Sequence, residues 1–397
     1  MKKKLVAVAV AGVLGAPLAA HAQTANVTLY GRLNVDFEVV NGRTCDSAGV
    51  PGGSTSCAAG SVNPTVTRLS SNSSRFGMRG TEALGGGLSA IFQIESSING
   101  DTTAGNLGGR DTFVGFQGSW GTFKMGHFLM PTDDMHPIFG NVPTYTSSIL
   151  STAALWAQGT FYKFAGGFDS RVGNSLRYDS PSFNGLTFSG QIGLRDASGS
   201  GGADNGDHPS ELRHAYVLGG NVIYNNGPIQ AGASFESNQK VRFADVNDTE
   251  ITVTGGYNFG VVRVAAVYEY LKYDMPSSVG GGDVKRNFWG LSATMPMGPG
   301  VWYAFYGKAL DGTGSACDIN TAGCNSRIGG LARGDGTSSQ QYEISYTYPF
   351  SKRTQVYAGY VKLQNENQAL YTFNINAYPI APGGKPQGFV LGMIHLF

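Results

Sequence analysis

From residue 26 onward, apolar and polar positions alternate along the chain. In "NVTLYGRLNVDFEVV", Val27, Leu29, Gly31, Leu33, Val35, Phe37 and Val39 share one face, and Thr28, Tyr30, Arg32, Asn34, Asp36 and Glu38 share the other. A period of two is the mark of a strand with one greasy and one charged face. "LSAIFQIES" sets Leu88, Ala90, Phe92 and Ile94 against Gln93 and Glu95, and "VRVAAVYEY" sets Val264, Ala266 and Tyr268 against Arg263 and Glu269. No amphipathic helix of useful length interrupts the pattern.

Sixteen such runs start near residues 26, 71, 88, 110, 121, 173, 186, 212, 228, 249, 261, 285, 300, 339, 353 and 387. Their connections alternate in length. "EALGGG", "SWG", "NNGP", "NFG", "MGPG" and "SKR" are short, whereas 41–70, 98–109, 129–172, 196–211, 239–248, 274–284, 310–338 and 364–386 are long. Short turns at one end and long loops at the other predict an all-β fold, a 16-stranded antiparallel transmembrane β-barrel. An even strand number lets the last strand pair with the first, so no edge is left open in lipid. A soluble β-sandwich or lectin shares the alternation. Loop asymmetry, aromatics near strand ends (Trp289, Tyr303, Tyr346, Tyr348, Tyr357, Tyr360) and the terminal Phe397 favour the barrel.

Composition agrees. Glycine is high at 59 residues, and charged residues make up only 14%, well below the usual quarter. No run of eighteen apolar residues occurs outside the N-terminus, so helices do not span the membrane. Residues 1–22 read as a signal peptide: Lys2, Lys3 and Lys4, an apolar stretch, then a small-x-small site at Ala20-His21-Ala22. The barrel is then 23–397. Removing three lysines and no acid takes the formal charge from +1 to −2, which gives no footprint for nucleic acid. Cys45 and Cys57, and Cys317 and Cys324, form two local pairs in turn-rich segments. In an exported chain these read as two disulfides. Neither spacing is C-x-x-C and no histidine sits nearby, so no metal site and no cofactor are expected.

A sixteen-stranded barrel leaves an aqueous channel unless something fills it. The connection 129–172 is too long for an ordinary loop, and folding it inward supplies a constriction. Alternation turns Arg32, Arg75, Arg79, Arg171 and Arg177 toward the lumen. The loop's acids are few: Asp133 and Asp134 near its start, Asp169 at its end, and none from Met135 to Phe168. A basic wall facing a weakly acidic loop predicts mild anion preference.

Several stretches resemble the general diffusion porins of Gram-negative bacteria, particularly the β-proteobacterial type. "NVTLYGRL" is similar to the family's first strand, and "SSRFGMRGTEALGGGLSAIFQIES" to its second strand, glycine turn and third strand. "RVGNSLRYDSPSFNGLTFSGQIG", "SYTYPFSKRTQVYAGY" and the terminal "HLF" also match, so the resemblance spans nearly all of the mature chain. It implies a homotrimer in outer-membrane lipid and lipopolysaccharide, with the third loop folded into each pore and no catalysis. By this resemblance Arg32, Arg75 and Arg171 line the basic wall, and His127 occupies a basic position leading into loop three. Ile138 stands where many relatives carry a loop glutamate. Phe397, with Phe389, Leu391 and Met393, resembles the signal read by the barrel-assembly machinery. The opposite face of this last strand reads Val390, Gly392, Ile394 and Leu396, which is unusually apolar for a lumen wall. The rival readings are a substrate-specific channel, a barrel hydrolase and an adhesive barrel with a blocked lumen. The histidines sit in no recognisable nucleophile motif.

Overall fold

The alternation closes into a barrel. The computed structural model describes residues 26–45, 61–102, 105–140, 148–156, 168–195, 215–243 and 245–397. The expected signal peptide and Cys57 lie outside the described residues, and so do Tyr145, Phe161 and Tyr162 of the third loop.

Sixteen antiparallel strands form the wall: β1 Asn26–Asn41, β2 in two stretches Thr65–Ser71 and Arg75–Gly85, β3 Leu88–Ile98, β4 Thr112–Gly118, β5 Gly121–Leu129, β6 Arg171–Asp179, β7 Leu186–Arg195, β8 Ala215–Asn226, β9 Ile229–Gln239, β10 Asn247–Asn258, β11 Arg263–Asp274, β12 Asp283–Met297, β13 Gly300–Ala309, β14 Ser339–Pro349, β15 Thr354–Asn365 and β16 Gln387–Leu396. Each pairs with its neighbours in sequence, and β16 pairs with β1 from Arg32↔Leu396 to Asn41↔Gln387. The seam ends on Phe397, which exchanges backbone hydrogen bonds with Gly31 at 2.9 and 3.1 Å. The Phe397 ring lies where a Gly31 side chain would stand.

Exposure is inverted relative to a soluble protein. On β1, Leu29 is 64% and Phe37 46% exposed, while Asn34, Asp36 and Glu38 are fully buried. That inversion decides between barrel and sandwich, because a sandwich would bury the apolar face. Outward aromatics gather near the short turns. Trp120 stacks on Tyr178, Tyr257 meets Phe259, Trp302 meets Tyr346, and Tyr348 meets Phe350. These form one interfacial girdle. Tyr303 and Tyr357, expected in that set, instead point inward and are buried. Alternation explains this, since their neighbours Trp302 and Ala358 face outward.

The second strand starts at Thr65, six residues before its expected start near 71. Register against Val35–Asn41 turns Thr65, Thr67, Leu69 and Ser71 outward. One apolar residue in four is too faint a pattern to read from sequence. Residue Ser73 has φ 51° in the break between the two stretches.

Cys317 and Cys324 form a disulfide, as expected from their spacing. Thr44–Cys45 pairs with Ser61–Val62 in a short hairpin.

Candidate functional site

The described parts of loop three, residues 130–140, 148–156 and 168–170, lie inside the barrel. The loop leaves β5 through a 3-10 turn, Pro131–Met135, and one turn of helix, His136–Phe139. A second 3-10 turn spans Thr152–Ala154, with Ser151 Oγ accepting from the Ala153 amide. Met135, Phe139, Ile149, Leu150, Leu155 and Trp156 are all buried. Trp156 packs its ring 4.0 Å from the His136 ring and 5.6 Å from Phe139, so its part is packing rather than a solute surface.

The wall makes room for the loop with glycines. A Cβ on Gly232 of β9 would stand 2.9 Å from Ile138 Cδ1, and one on Gly359 of β15 would stand 2.9 Å from Leu150 Cδ1. Gly219, Gly290 and Gly388 likewise face Met130, Phe139 and Ile149. The loop therefore sweeps over the wall from β8 round to β16. Polar contacts fix its path. Ser292 Oγ donates to the Phe139 carbonyl at 2.7 Å, Arg263 donates to the Ile138 carbonyl, and Gln341 donates to the Ser151 carbonyl at 3.0 Å. The apolar last strand is explained by this packing. Val390 and Ile394 belong to the same buried cluster as Ile149, Leu150 and Tyr357.

Beneath the loop lies an acidic wall. Glu236 on β9, Glu250 on β10 and Glu269 on β11 are fully buried, and Glu343 on β14 nearly so. Glu269 is paired with the buried Arg286, which also reaches the Tyr371 hydroxyl at 3.4 Å. Thr132 Oγ1 donates to Glu236 Oε2 at 2.7 Å.

The opposite side, from the lower end of β1 across β2–β6, is basic and keeps solvent contact. Arg32 and Arg75 are direct cross-strand partners. Arg32 donates to the Asn72 carbonyl at 3.1 Å. Glu95 is shared: Arg110 Nε lies 2.5 Å and Arg75 Nε 3.5 Å from it, and the Tyr30 hydroxyl donates at 3.0 Å. Arg171 pairs with Asp111 at 2.6 Å. Arg79 lies further toward the short-turn end, over the Tyr30 ring. Five guanidinium groups (Arg32, Arg75, Arg79, Arg110, Arg171) thus face two carboxylates (Glu95, Asp111). Burial and the neighbouring Arg171 pull the Arg110 pKa down, and Glu95 opposes them. Arg110 went unnoticed in the sequence, because strict alternation counts it with the outward Val114.

Arg177 joins the two regions. It contacts Asp134 of the loop at 2.6 Å and Asp179 at 2.7 Å, and Lys124 lies 2.9 Å from Asp179. Arg177 therefore anchors the loop and is not a free lumen charge. Asp133 keeps partial exposure. Desolvation pushes its carboxyl up to about 7, His136 opposes, and Asp169 and Asp134 reinforce the rise. Burial works against a charge on His136, but the Asp169 carboxylate 2.8 Å away outweighs it and raises the ring's pKa.

His127 takes the opposite parity from its two neighbours on β5. Lys124 and Phe128 face the lumen, where Lys124 meets Asp179 and the Phe113 and Phe128 rings. His127 pairs across the ladder with Thr112 and shares the outward parity of Phe123 and Met125. Arg171 pairs with Leu129 on that same parity, and a Cβ on Gly173 would stand 3.5 Å from His127 Nδ1, so His127 lies beside the start of β6 near Arg171.

Comparison with known proteins agrees with this geometry. Outer membrane porin protein 32 of Delftia acidovorans is 27% identical over 413 residues, covering 100% of both chains. The solved anion-selective porin from Comamonas acidovorans superposes with a TM-score of 0.68 at 24% identity, over 94% of this chain and 100% of its own. The trimer form of OmpT, an outer membrane protein of Vibrio cholerae, superposes with a TM-score of 0.62 at 14% identity, over 94% of this chain and 100% of its own. The sequence profile described as Gram-negative porin matches residues 6–368, and the chain belongs to that family.

Proposed function

We propose that this porin passes small hydrophilic solutes and ions by passive diffusion across the bacterial outer membrane, with a mild preference for anions. One observation carries the preference. Loop three covers the acidic half of the wall and leaves the half bearing Arg32, Arg75, Arg110 and Arg171 in contact with solvent. An ion in the pore then sees mainly guanidinium charge. The anion-selective porin among the structural relatives supports the same reading. Reversal potentials across a planar bilayer in a KCl gradient test it, and cation selectivity would sink it. Linear rather than saturable solute flux in proteoliposomes separates general diffusion from a channel dedicated to one substrate.

The functional unit is a homotrimer surrounded by lipid and lipopolysaccharide, a reading supported by the trimer form of OmpT. Residues 1–22 are removed on export, and the chain acts without cofactor or catalysis. Phe397 serves as the assembly signal, supported by its place at the seam against Gly31. Deleting Phe397 abolishes the heat-modifiable folded band on gels while leaving synthesis intact; a normal folded band would refute the assignment.

A further inference from the structure

Where loop three returns to the wall, three carboxylates meet. Glu236 and Glu250 are direct cross-strand partners on β9 and β10, a placement that sets like charges opposite one another. Asp169, the loop's last acid, completes the group. One oxygen from each lies within 4.8 Å of the others. Glu236 and Glu250 are fully buried.

Each carboxylate is half satisfied. Thr132 and the Asp169 amide reach Glu236 Oε2 at 2.7 and 3.4 Å, Thr252 Oγ1 reaches Glu250 Oε1 at 2.9 Å, and His136 Nε2 lies 2.8 Å from Asp169 Oδ2. The remaining oxygens, Glu236 Oε1, Glu250 Oε2 and Asp169 Oδ1, are buried with no hydrogen-bond partner. The nearby guanidiniums are already committed, Arg242 to Asp248 and Arg286 to Glu269. Three buried carboxylate oxygens are thus left without a partner, in a place where an unpaired polar group is costly. Oxygens up to 4.8 Å apart fit opposite edges of a calcium shell, whose bonds run about 2.3–2.6 Å. Magnesium, with bonds of about 2.0–2.1 Å, demands a tighter cluster.

We propose that Asp169, Glu236 and Glu250 bind one calcium-like divalent cation that staples the end of loop three to the barrel wall. Two of the ligands come from the wall and one from the loop, so the ion ties the loop's return to the barrel beside Thr132 and His136, next to the segment that Arg177 holds through Asp134. This site stands independently of the selectivity argued above.

The test uses full-length protein refolded free of lipopolysaccharide, stripped with EDTA and dialysed. Calcium content after equilibration with CaCl2 is expected to reach one ion per protomer, with MgCl2 giving weaker uptake. Glu236→Gln combined with Glu250→Gln should lose that ion. Terbium placed there should show emission sensitised by Trp156, whose ring touches His136 beside Asp169; Trp156→Phe should remove the emission and keep the metal. No stoichiometric calcium in the wild type, or unchanged uptake in the double variant, overturns the proposal and assigns the missing charge to bound protons. If the double variant fails to refold, wild-type stoichiometry and the terbium signal decide alone.

Discussion

Arg177 on β6 and Asp134 at the start of loop three meet at 2.6 Å, and the same guanidinium holds Asp179 at 2.7 Å. Asn221 on β8 also donates to Asp134 Oδ2 at 2.8 Å and to the Pro131 carbonyl at 2.7 Å, so two wall side chains fix the point where the loop turns inward. Arg177→Gln should cost about 1–2 kcal/mol of local anchoring, since Asp134 remains partly exposed and the pair is screened. The loop's front end should then open more often. Single-channel recordings should show added open-state noise, and Asp134→Asn should add little on top of it because both changes cut the same contact.

Charge reversal on the basic wall should be graded by position. Arg75→Glu and Arg171→Glu place an acid beside Arg32 and Arg110 or beside Asp111. Each should move the reversal potential toward cations, while Arg79→Glu, nearer the short-turn end, should move it less. Equal shifts from all three would mean that no narrow point exists on this wall.

Acidity should strengthen the anion preference. The Asp133 carboxyl, ordinarily near 3.8, is held up to about 7 by desolvation in the folded loop. The folded chain therefore keeps a proton that the unfolded chain releases across that window. Loop stability falls as pH rises from about 4 to about 7 and levels off above it. Protonation below 7 also removes one negative charge opposite the arginines. Reversal potentials at pH 5 and pH 8 should differ in that sense, and Asp133→Asn should erase the difference.

Ile394 is fully buried in the cluster that includes Ile149 and Leu150 of the loop. This stretch, unusually apolar for a lumen wall, is packed rather than wetted. Ile394→Arg, acceptable in a wet lumen, should instead bury an unpaired charge and cost several kcal/mol. Its folded fraction in heat-modifiability gels should drop sharply, whereas Leu391→Arg on the outward face tests lipid contact alone. Ile394→Val should lose only about 1 kcal/mol.

Much of the barrel was legible because lipid and lumen impose a period of two, and that period survives in the residues themselves. All but the second of the sixteen strands begin within three residues of where the alternation placed them. The second escaped because Thr65, Thr67 and Ser71 carry no apolar signal. The parity of His127 was present in the same alternation, through Phe123 and Met125. The coverage of Glu236, Glu250 and Glu343 was not legible at all. It depends on where a loop lands, and that landing is set by glycines on β8, β9, β12, β15 and β16 that sit far from the loop in sequence. A glycine in a strand reads only as a weak strand residue until its neighbour across the barrel is known.

The glycine track makes the sign of the filter a matter of shielding. With a formal charge of +1 over 397 residues, the whole chain is almost neutral; the pore is polarised because one half of that balance is hidden from passing ions. Swapping small residues along the track for larger ones would shift the loop and unmask carboxylates without altering any ionisable group. Two such barrels with identical charge inventories would then sort ions in opposite directions.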